Sequence, residues 1–249
     1  MAVVLKSAAE IEKMRKAGKV VREVLELVRS LVKPGVTTLD LDRAAEERLK
    51  ELGAKAAFKG YHGYPAVLCA SVNAEVVHGI PSAKRVLKDG DIVSVDFGAF
   101  VEGYCGDAAI TVPVGTVDAG TLRLLDVTQA SLKAGIAAVK PGATLGDVGS
   151  AVQTVVEDAG FSVVRDFVGH GIGVHMHEDP QVPNFGEPGR GMKLKAGMVI
   201  AIEPMVNAGG PDVVVLDDGW TAVAKDGSMS AHFEHTVAVT ASGARILTE

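Results

Sequence analysis

The sequence predicts an α+β fold in which helices are grouped ahead of antiparallel strands. Three observations lead there: two pairs of segments with helical periodicity, strand-like runs after each pair, and a repeat that relates the pairs. Lys33-Pro34-Gly35 recurs as Lys140-Pro141-Gly142, 107 residues later. At the same offset Thr37 falls on Thr144, Asp40 on Asp147, Ala44 on Ala151 and Gly53 on Gly160. Leu41 against Val148 and Leu49 against Val156 keep apolar character. So long a period indicates a duplicated half-domain rather than a solenoid, whose repeats run about 20–50 residues. Grouping helices before strands separates this pattern from a doubly wound parallel sheet.

In chain order, Ile11, Met14, Val20, Val21, Val24, Leu25 and Val28 mark one apolar helix face, and Pro34 ends that helix. Thr38 is expected to cap a second helix that runs to Gly53. Residues 67–72, 92–97 and 108–114 are rich in β-branched side chains and read as strands. Glu102-Gly103 between two such runs reads as a hairpin turn, which implies antiparallel pairing. The second half repeats the order with helices at 122–139 and 144–159, the latter closed by Gly160. Strands are expected at 161–167, 198–202, 212–216 and 236–240. Only 180–196 reads as a long loop. One domain over residues 1–249 is therefore expected, with halves of about 1–115 and 116–249.

Composition excludes several classes. With 47% hydrophobic and 22% charged residues, the chain is neither disordered nor a coiled coil. At 249 residues it can bury a core that needs no disulfide framework. A net charge of −6 opposes binding to the nucleic-acid backbone. No run approaches the roughly 18 apolar residues of a membrane span, and no basic-then-apolar leader is present. Cys69 and Cys105 fit a reducing, cytoplasmic location, with a single disulfide left open.

The polar chemistry is clustered. His62, His78, His170, His175, His177, His232 and His235 fall in a few short segments, with Tyr61, Tyr64 and Tyr104 in or beside them. Asp96 ends one strand-like run, and Asp107 follows 11 residues later across the hairpin turn. The two acids are expected to face each other from neighbouring strands. Glu203 ends another apolar run, and Glu234 precedes a further strand. Acids embedded in buried strands are costly unless paired or metal-bound. His170 lies nearby within Gly169-His170-Gly171-Ile172-Gly173. Four carboxylates and a neutral histidine are balanced by two divalent ions, the arrangement of a hydrolytic two-metal centre. An oxygen-rich set with one imidazole suits Mn, Fe, Co or Zn. No His-Glu-x-x-His helix, Cys-x-x-Cys pair, Walker loop or Gly-x-Ser-x-Gly elbow competes.

At these residues the chain resembles type I methionine aminopeptidase over nearly its whole length. The likeness is carried by Tyr61-His62-Gly63-Tyr64-Pro65, Ser71-Val72-Asn73 and Val77-His78-Gly79-Ile80-Pro81. It continues through Asp91-Ile92-Val93-Ser94-Val95-Asp96, Gly106-Asp107, Gly169-His170-Gly171-Ile172-Gly173 and His177-Glu178. Ile202-Glu203-Pro204-Met205, Asp218-Gly219-Trp220-Thr221 and Phe233-Glu234-His235-Thr236 complete it. The resemblance implies the pita-bread fold: two pseudo-symmetric halves around a curved antiparallel sheet, helices outside, and a metal centre between the halves. It implies metal ligands at Asp96, Asp107, His170, Glu203 and Glu234, of which Asp107 and Glu234 bridge. It implies catalytic roles for His78, His177 and Glu203, and substrate contacts from His78, His177, Tyr61, Tyr64, Cys69, Met176 and Trp220.

The implied function is removal of the initiator methionine from nascent polypeptides with a small second residue. The implied cofactor is two divalent ions per chain. The expected partners are nascent N-termini and a transiently met ribosome, with no nucleic acid and no membrane, and the chain is expected to be a monomer. The short bacterial form is expected, because no zinc-binding extension precedes the helices. In addition, only 25 residues separate His177 from Glu203, too few for the helical insertion of type II enzymes. Three positions depart from the family: Met176 replaces a frequent Phe, His175 a small residue, and Phe58 a frequent Cys. Two other readings share the pattern: an inactive binding relative, whose usual mark is a lost ligand, and an X-Pro aminopeptidase, which differs in its pocket.

Overall fold

A computed structural model describes residues 3–249, so Met1 and Ala2 of the expected 1–249 unit lie outside the described residues. The first half opens with α1 (Ala8–Leu31) and α2 (Thr38–Glu51). Helix α1 starts at a capping box in which the Ser7 hydroxyl accepts from Glu10 N–H and the Glu10 carboxylate accepts from Ser7 N–H. Its face of Met14, Val21, Val24 and Val28 is wholly buried. Helix α2 is capped by Thr37, one residue earlier than expected. Both residues carry a hydroxyl, but only Thr37 has an acid three positions on, and Asp40 closes the box. The Thr38 hydroxyl is buried instead, bonded to Ser82 O.

Strands β1 (Lys55–Ala56), β2 (Leu68–Val72), β3 (Glu75–Val77), β4 (Ile92–Val101) and β5 (Tyr104–Pro113) follow. The β4–β5 hairpin turns at Glu102 (φ 50°) and Gly103 (φ 83°), the two positive φ values a tight hairpin requires. The second half contains α3 (Ala119–Ala138), α4 (Leu145–Asp158), β6 (Ser162–Val163), β7 (Gly169–Gly171) and β8 (Glu178–Val182). It ends with β9 (Val199–Ile202), β10 (Met205–Asn207), β11 (Val213–Val215), β12 (Ala222–Ala224), β13 (Ser230–His232), β14 (His235–Thr240) and β15 (Gly243–Ile246). The strand expected at 161–167 shrinks to β6, because only Val206 and Asn207 of β10 pair with it. Beyond it the chain turns away, and Phe167 packs edge-on against His78. The loop expected at 180–196 begins inside β8.

Two sheets form the centre of the molecule. In one, β4 pairs with β1 and β2 and with β5; the other runs β15-β14-β9-β7-β8, and the pairings in both are antiparallel. One apolar cluster packs α1 and α2 on β2, β4 and β5, and a second packs α3 and α4 on β9 and β14. The 107-residue offset recurs in the contacts. Thr37 bridges Val86 and Thr144 bridges Lys193. Gly35 N–H donates to Leu87 O and Gly142 N–H to Leu194 O. Gly90 and Gly197, at φ +91° and +93°, lead into β4 and β9 respectively.

The halves meet where β5 passes β14. Asp107 N–H donates to Thr236 Oγ1 at 3.0 Å, and that hydroxyl donates back to Asp107 O at 2.7 Å. Glu234 N–H donates to Ala109 O at 3.0 Å. No helix among the described residues is long and apolar enough to cross a membrane.

Candidate metal centre

A cavity of about 200 Å³ opens at this junction, with Asp96, Asp107, His170, Glu203 and Glu234 in its wall. Asp96 comes from β4, Asp107 from β5, and His170 from β7. Glu203 follows β9, and Glu234 sits between β13 and β14. Asp96 and Asp107 do not lie directly opposite, as the hairpin alone suggests. Asp96 pairs with Ala109 and Asp107 with Gly98, so the acids are diagonal neighbours on one face. Glycine at 98 leaves room for the carboxylate: a Cβ there would lie 3.1 Å from Asp107 Oδ1 and 2.9 Å from Phe58 Cε1.

Asp107 and Glu234 are 4% and 2% exposed, and neither Lys nor Arg lines the cavity. Asp96 Oδ1, Asp107 Oδ1 and Glu234 Oε1 are buried without a hydrogen-bond partner. Orphaned buried carboxylate oxygens are expensive and rare unless a cation completes them. Asp107, His170 and Glu234 each present one donor atom, and these three atoms lie within 4.8 Å of one another. His170 Nδ1 is 2.9 Å from Gly171 O, which can only accept, so the ring N–H is placed there. Nε2 is left with a free lone pair, as a metal-binding imidazole requires. The donor set therefore fits divalent cations.

Electrostatics agree. Burial pushes Asp107 up to about 7, partly offset by its bond to Asp96. Burial, and then the charge of Asp107, holds Asp96, Glu203 and Glu234 well above the usual carboxylate range. The histidines move the opposite way. Burial presses His170 down to about 3 and His78 to about 4, in each case helped by His177. Both are neutral at pH 7. The 3.6 Å approach of His170 Nε2 to Glu203 Oε1 is therefore neither an ion pair nor a hydrogen bond.

Around the acids stand the residues expected to meet substrate. The Tyr61 hydroxyl lies 2.8 Å from His177 Nδ1, and the His177 ring stacks edge-on to His170 with centroids 4.2 Å apart. His78 follows β3 in a left-handed conformation at φ 63°, strain that is common at functional sites. Its ring stands edge-on to Phe167 and Trp220, at 5.4 and 6.3 Å. Tyr64 spends its hydroxyl on Leu68 O and Gly79 O and offers the cavity only its ring. Trp220 packs against that ring at 5.1 Å, set by an Asp218 carboxylate that accepts from Trp220 and Thr221 N–H. Cys69, Met176 and Phe58 also line the cavity. Cys69 and Cys105 are both free and buried.

Of the other clustered histidines, His175 is exposed and His235 turns to Thr248, away from the acids. Sequence reasoning gave no role to His232, whose Nε2 is buried, unpartnered and 3.8 Å from Glu203 Oε2. Nor did it find Asn184, whose side-chain amide donates to Glu203 O at 3.0 Å. One available signal went unused: the 107-residue offset carries Asp96 onto Glu203.

The comparisons with known proteins converge. Residues 12–241 match the family described as metallopeptidase family M24. A methionine aminopeptidase of Clostridium acetobutylicum is 51% identical over 99% of this chain and 98% of its own length. The crystal structure of methionine aminopeptidase from Thermotoga maritima superposes with a TM-score of 0.98 at 52% identity, covering 100% of both chains. Prolidase from Pyrococcus furiosus shares the fold at a TM-score of 0.80 and 24% identity, over 99% of this chain and 65% of its own. By site and by sequence, the chain belongs to metallopeptidase family M24, among its methionine aminopeptidases.

Proposed function

We propose that the chain removes the initiator methionine from new polypeptides whose second residue is small, using two divalent ions. The coarser activity, metal-dependent hydrolysis of an N-terminal methionine, follows from family membership and from 51% identity along essentially the whole chain. The observation that carries the finer reading is the set of orphaned carboxylate oxygens facing neutral histidines, with no basic side chain in the cavity wall. Asp107 and Glu234, from the junction of the halves, would hold both ions, Asp96 would hold one, and His170 with Glu203 the other. Two divalent charges balance four carboxylates, and the donor chemistry accommodates Mn, Fe, Co or Zn. When bound, the ions polarise the scissile carbonyl and acidify the attacking water.

The chain's own groups do the rest. The Glu203 carboxylate takes the proton of the attacking water. The Tyr61 hydroxyl donates to His177 Nδ1, which leaves Nε2–H as a donor to the carbonyl oxygen as charge develops on it. His78 meets the scissile amide nitrogen and helps protonate the leaving amine, the proton delivered being the one that Glu203 took from the water. Tyr61, Tyr64, Cys69, Met176 and Trp220 receive the methionine side chain; burial holds the Cys69 thiol neutral, so it acts as a soft apolar wall.

Residues 1–249 act as one catalytic unit, a cytoplasmic monomer that meets nascent chains during transient ribosome encounters. The net charge of −6 supports the absence of a nucleic-acid partner. Steady-state assay on Met-Ala-Ser and Ala-Pro-Ala, with metal supplied, tests the reading. Turnover of the first alone is expected. Turnover of the second alone makes the chain an X-Pro aminopeptidase, and turnover of neither makes it a binding protein.

A further inference from the structure

The most buried ion pair of the described residues lies outside the cavity wall. Lys6 Nζ donates to Glu178 Oε2 at 2.5 Å, with the side chains 4% and 9% exposed. The partners are 172 residues apart in sequence, and Glu178 directly follows His177. Lys6 is fixed at its backbone as well, where its N–H donates to Gly197 O at 2.7 Å on the approach to β9 and Glu203. The other Glu178 oxygen accepts from His175 N–H at 3.2 Å. The pair is packed tightly over Gly173, where a Cβ would lie 2.5 Å from Glu178 Oε1 and 2.6 Å from Lys6 Cε.

The segment between Gly173 and Glu178 carries both Met176 and His177. Gly173 is held at one end, its carbonyl accepting from Cys105 N–H at 2.8 Å. Val174 is 51% exposed, and His175 is also at the surface. Of the loop's middle residues Met176 alone is packed in the core, at 5% exposure, and its neighbours Val174, His175 and His177 draw little from packing. At its far end the Glu178 backbone pairs with Gly171 as β8 begins, and the Glu178 carboxylate, held by Lys6, ties the side chain down beside His177. A buried ion pair is a weak source of stability, because desolvation offsets most of its attraction. Its fixed geometry can instead select one arrangement of the elements it joins.

We propose that Lys6 and Glu178 are positioning residues for His177: their buried ion pair fixes the loop so that the His177 ring meets the scissile carbonyl. The proposal rests on the role given to His177 above. It places one determinant of turnover in the segment just before α1, far in sequence from every metal ligand. It also makes the Lys6 contribution conditional on His177, which a general stabilising contact is not.

The test is a double-mutant cycle on the Mn²⁺-loaded protein with Met-Ala-Ser as substrate. Lys6→Met should lower kcat about 10- to 100-fold, the cost of a slightly misplaced catalytic group, with KM nearly unchanged. Bound Mn²⁺ should be unchanged, and Lys6→Arg should restore most of the rate. In a His177→Ala background, Lys6→Met should change kcat by less than about twofold, because the group it positions is gone. A Lys6→Met protein with near-normal kcat overturns the proposal. So does an equal loss in the His177→Ala background, which marks a merely structural contact. Should Lys6→Met fail to fold, Glu178→Gln takes its place with the same outcomes, since it keeps the shape and the acceptor for His175 N–H. If His177→Ala alone keeps normal kcat, the role of His177 is wrong. If it is impaired while Lys6→Met is not, only the positioning proposal fails.

Discussion

Removing metal should reverse how this protein's stability responds to pH. In the metal-free protein, burial keeps Asp107 protonated to about pH 7 and pushes Asp96, Glu203 and Glu234 well above the usual carboxylate range as well. In the unfolded chain all four are ionised above about pH 4–5. The folded state thus carries the extra protons, and its stability falls as pH rises through the folded pKa values. Buried histidines act in the opposite direction. His78, held down to about 4, and His170 and His232, held to about 3, stay neutral when folded but take protons below about pH 6.5 when unfolded. Their contribution is lost as pH falls below 6.5. Above that value only the carboxylates remain, so the stability of the metal-free protein should fall most steeply above pH 6.5. Each proton retained by the folded state costs about 1.4 kcal/mol per pH unit. For a chain of this size one proton corresponds to roughly 3–6 °C in Tm per pH unit. Thermal unfolding of metal-stripped protein between pH 5.5 and 8.5, beside the Mn²⁺-loaded form, reads this directly. The stripped protein should lose Tm steadily above 6.5, while the loaded protein, its acids ionised on the metal, should not. A stripped protein whose Tm is flat or rising from pH 6.5 to 8.5 refutes the reasoning.

Three further outcomes are expected. His78→Ala and His177→Ala should keep bound Mn²⁺ and lose mainly kcat, since their contacts tighten in the transition state; loss of metal on either change would make that histidine a ligand. Met176→Phe should raise the ratio of kcat/KM for Met-Ala over Leu-Ala peptides, because an unbranched thioether adapts to more shapes than a ring does; an unmoved ratio means that Met176 does not select the side chain. Thr37→Ala and Thr144→Ala should each cost about 1 kcal/mol in denaturant unfolding, as related caps of α2 and α4; a loss at one site only would separate the two halves energetically.

The helices and the acids were legible in the sequence because each carries its own local signal. The Lys-Pro-Gly turn and the capping acids Asp40 and Asp147 mark the start of α2 and α4 without tertiary information. Asp96, which lies inside the longer β4 rather than at its end, and Glu203 stand out because acids rarely interrupt or end apolar strands, and the fixed offset between them was there to be counted. What escaped was set by partners distant in sequence. The extent of β6 depends on how much of β10 is free to pair, which 161–167 alone does not encode. The diagonal placement of Asp96 and Asp107 is a matter of hairpin register. His232 sits in a short, fully buried strand where an inward polar side chain looks like any neighbour until Glu203 is beside it. Lys6 carries no local signal of its role, since its partner is 172 residues away.

The central claim is that Asp107 and Glu234, at the seam between the halves, hold two ions together with Asp96, His170 and Glu203. Counting the ions bound per chain tests it most directly. Metal-stripped protein and its Asp107→Asn variant would be titrated with Mn²⁺ under reducing, anaerobic conditions, with Met-Ala-Ser turnover followed alongside. The account predicts two ions per wild-type chain, and in the variant a loss of tight binding together with a fall in turnover of orders of magnitude. An Asp107→Asn protein that keeps two tightly bound ions and near-normal turnover would contradict it.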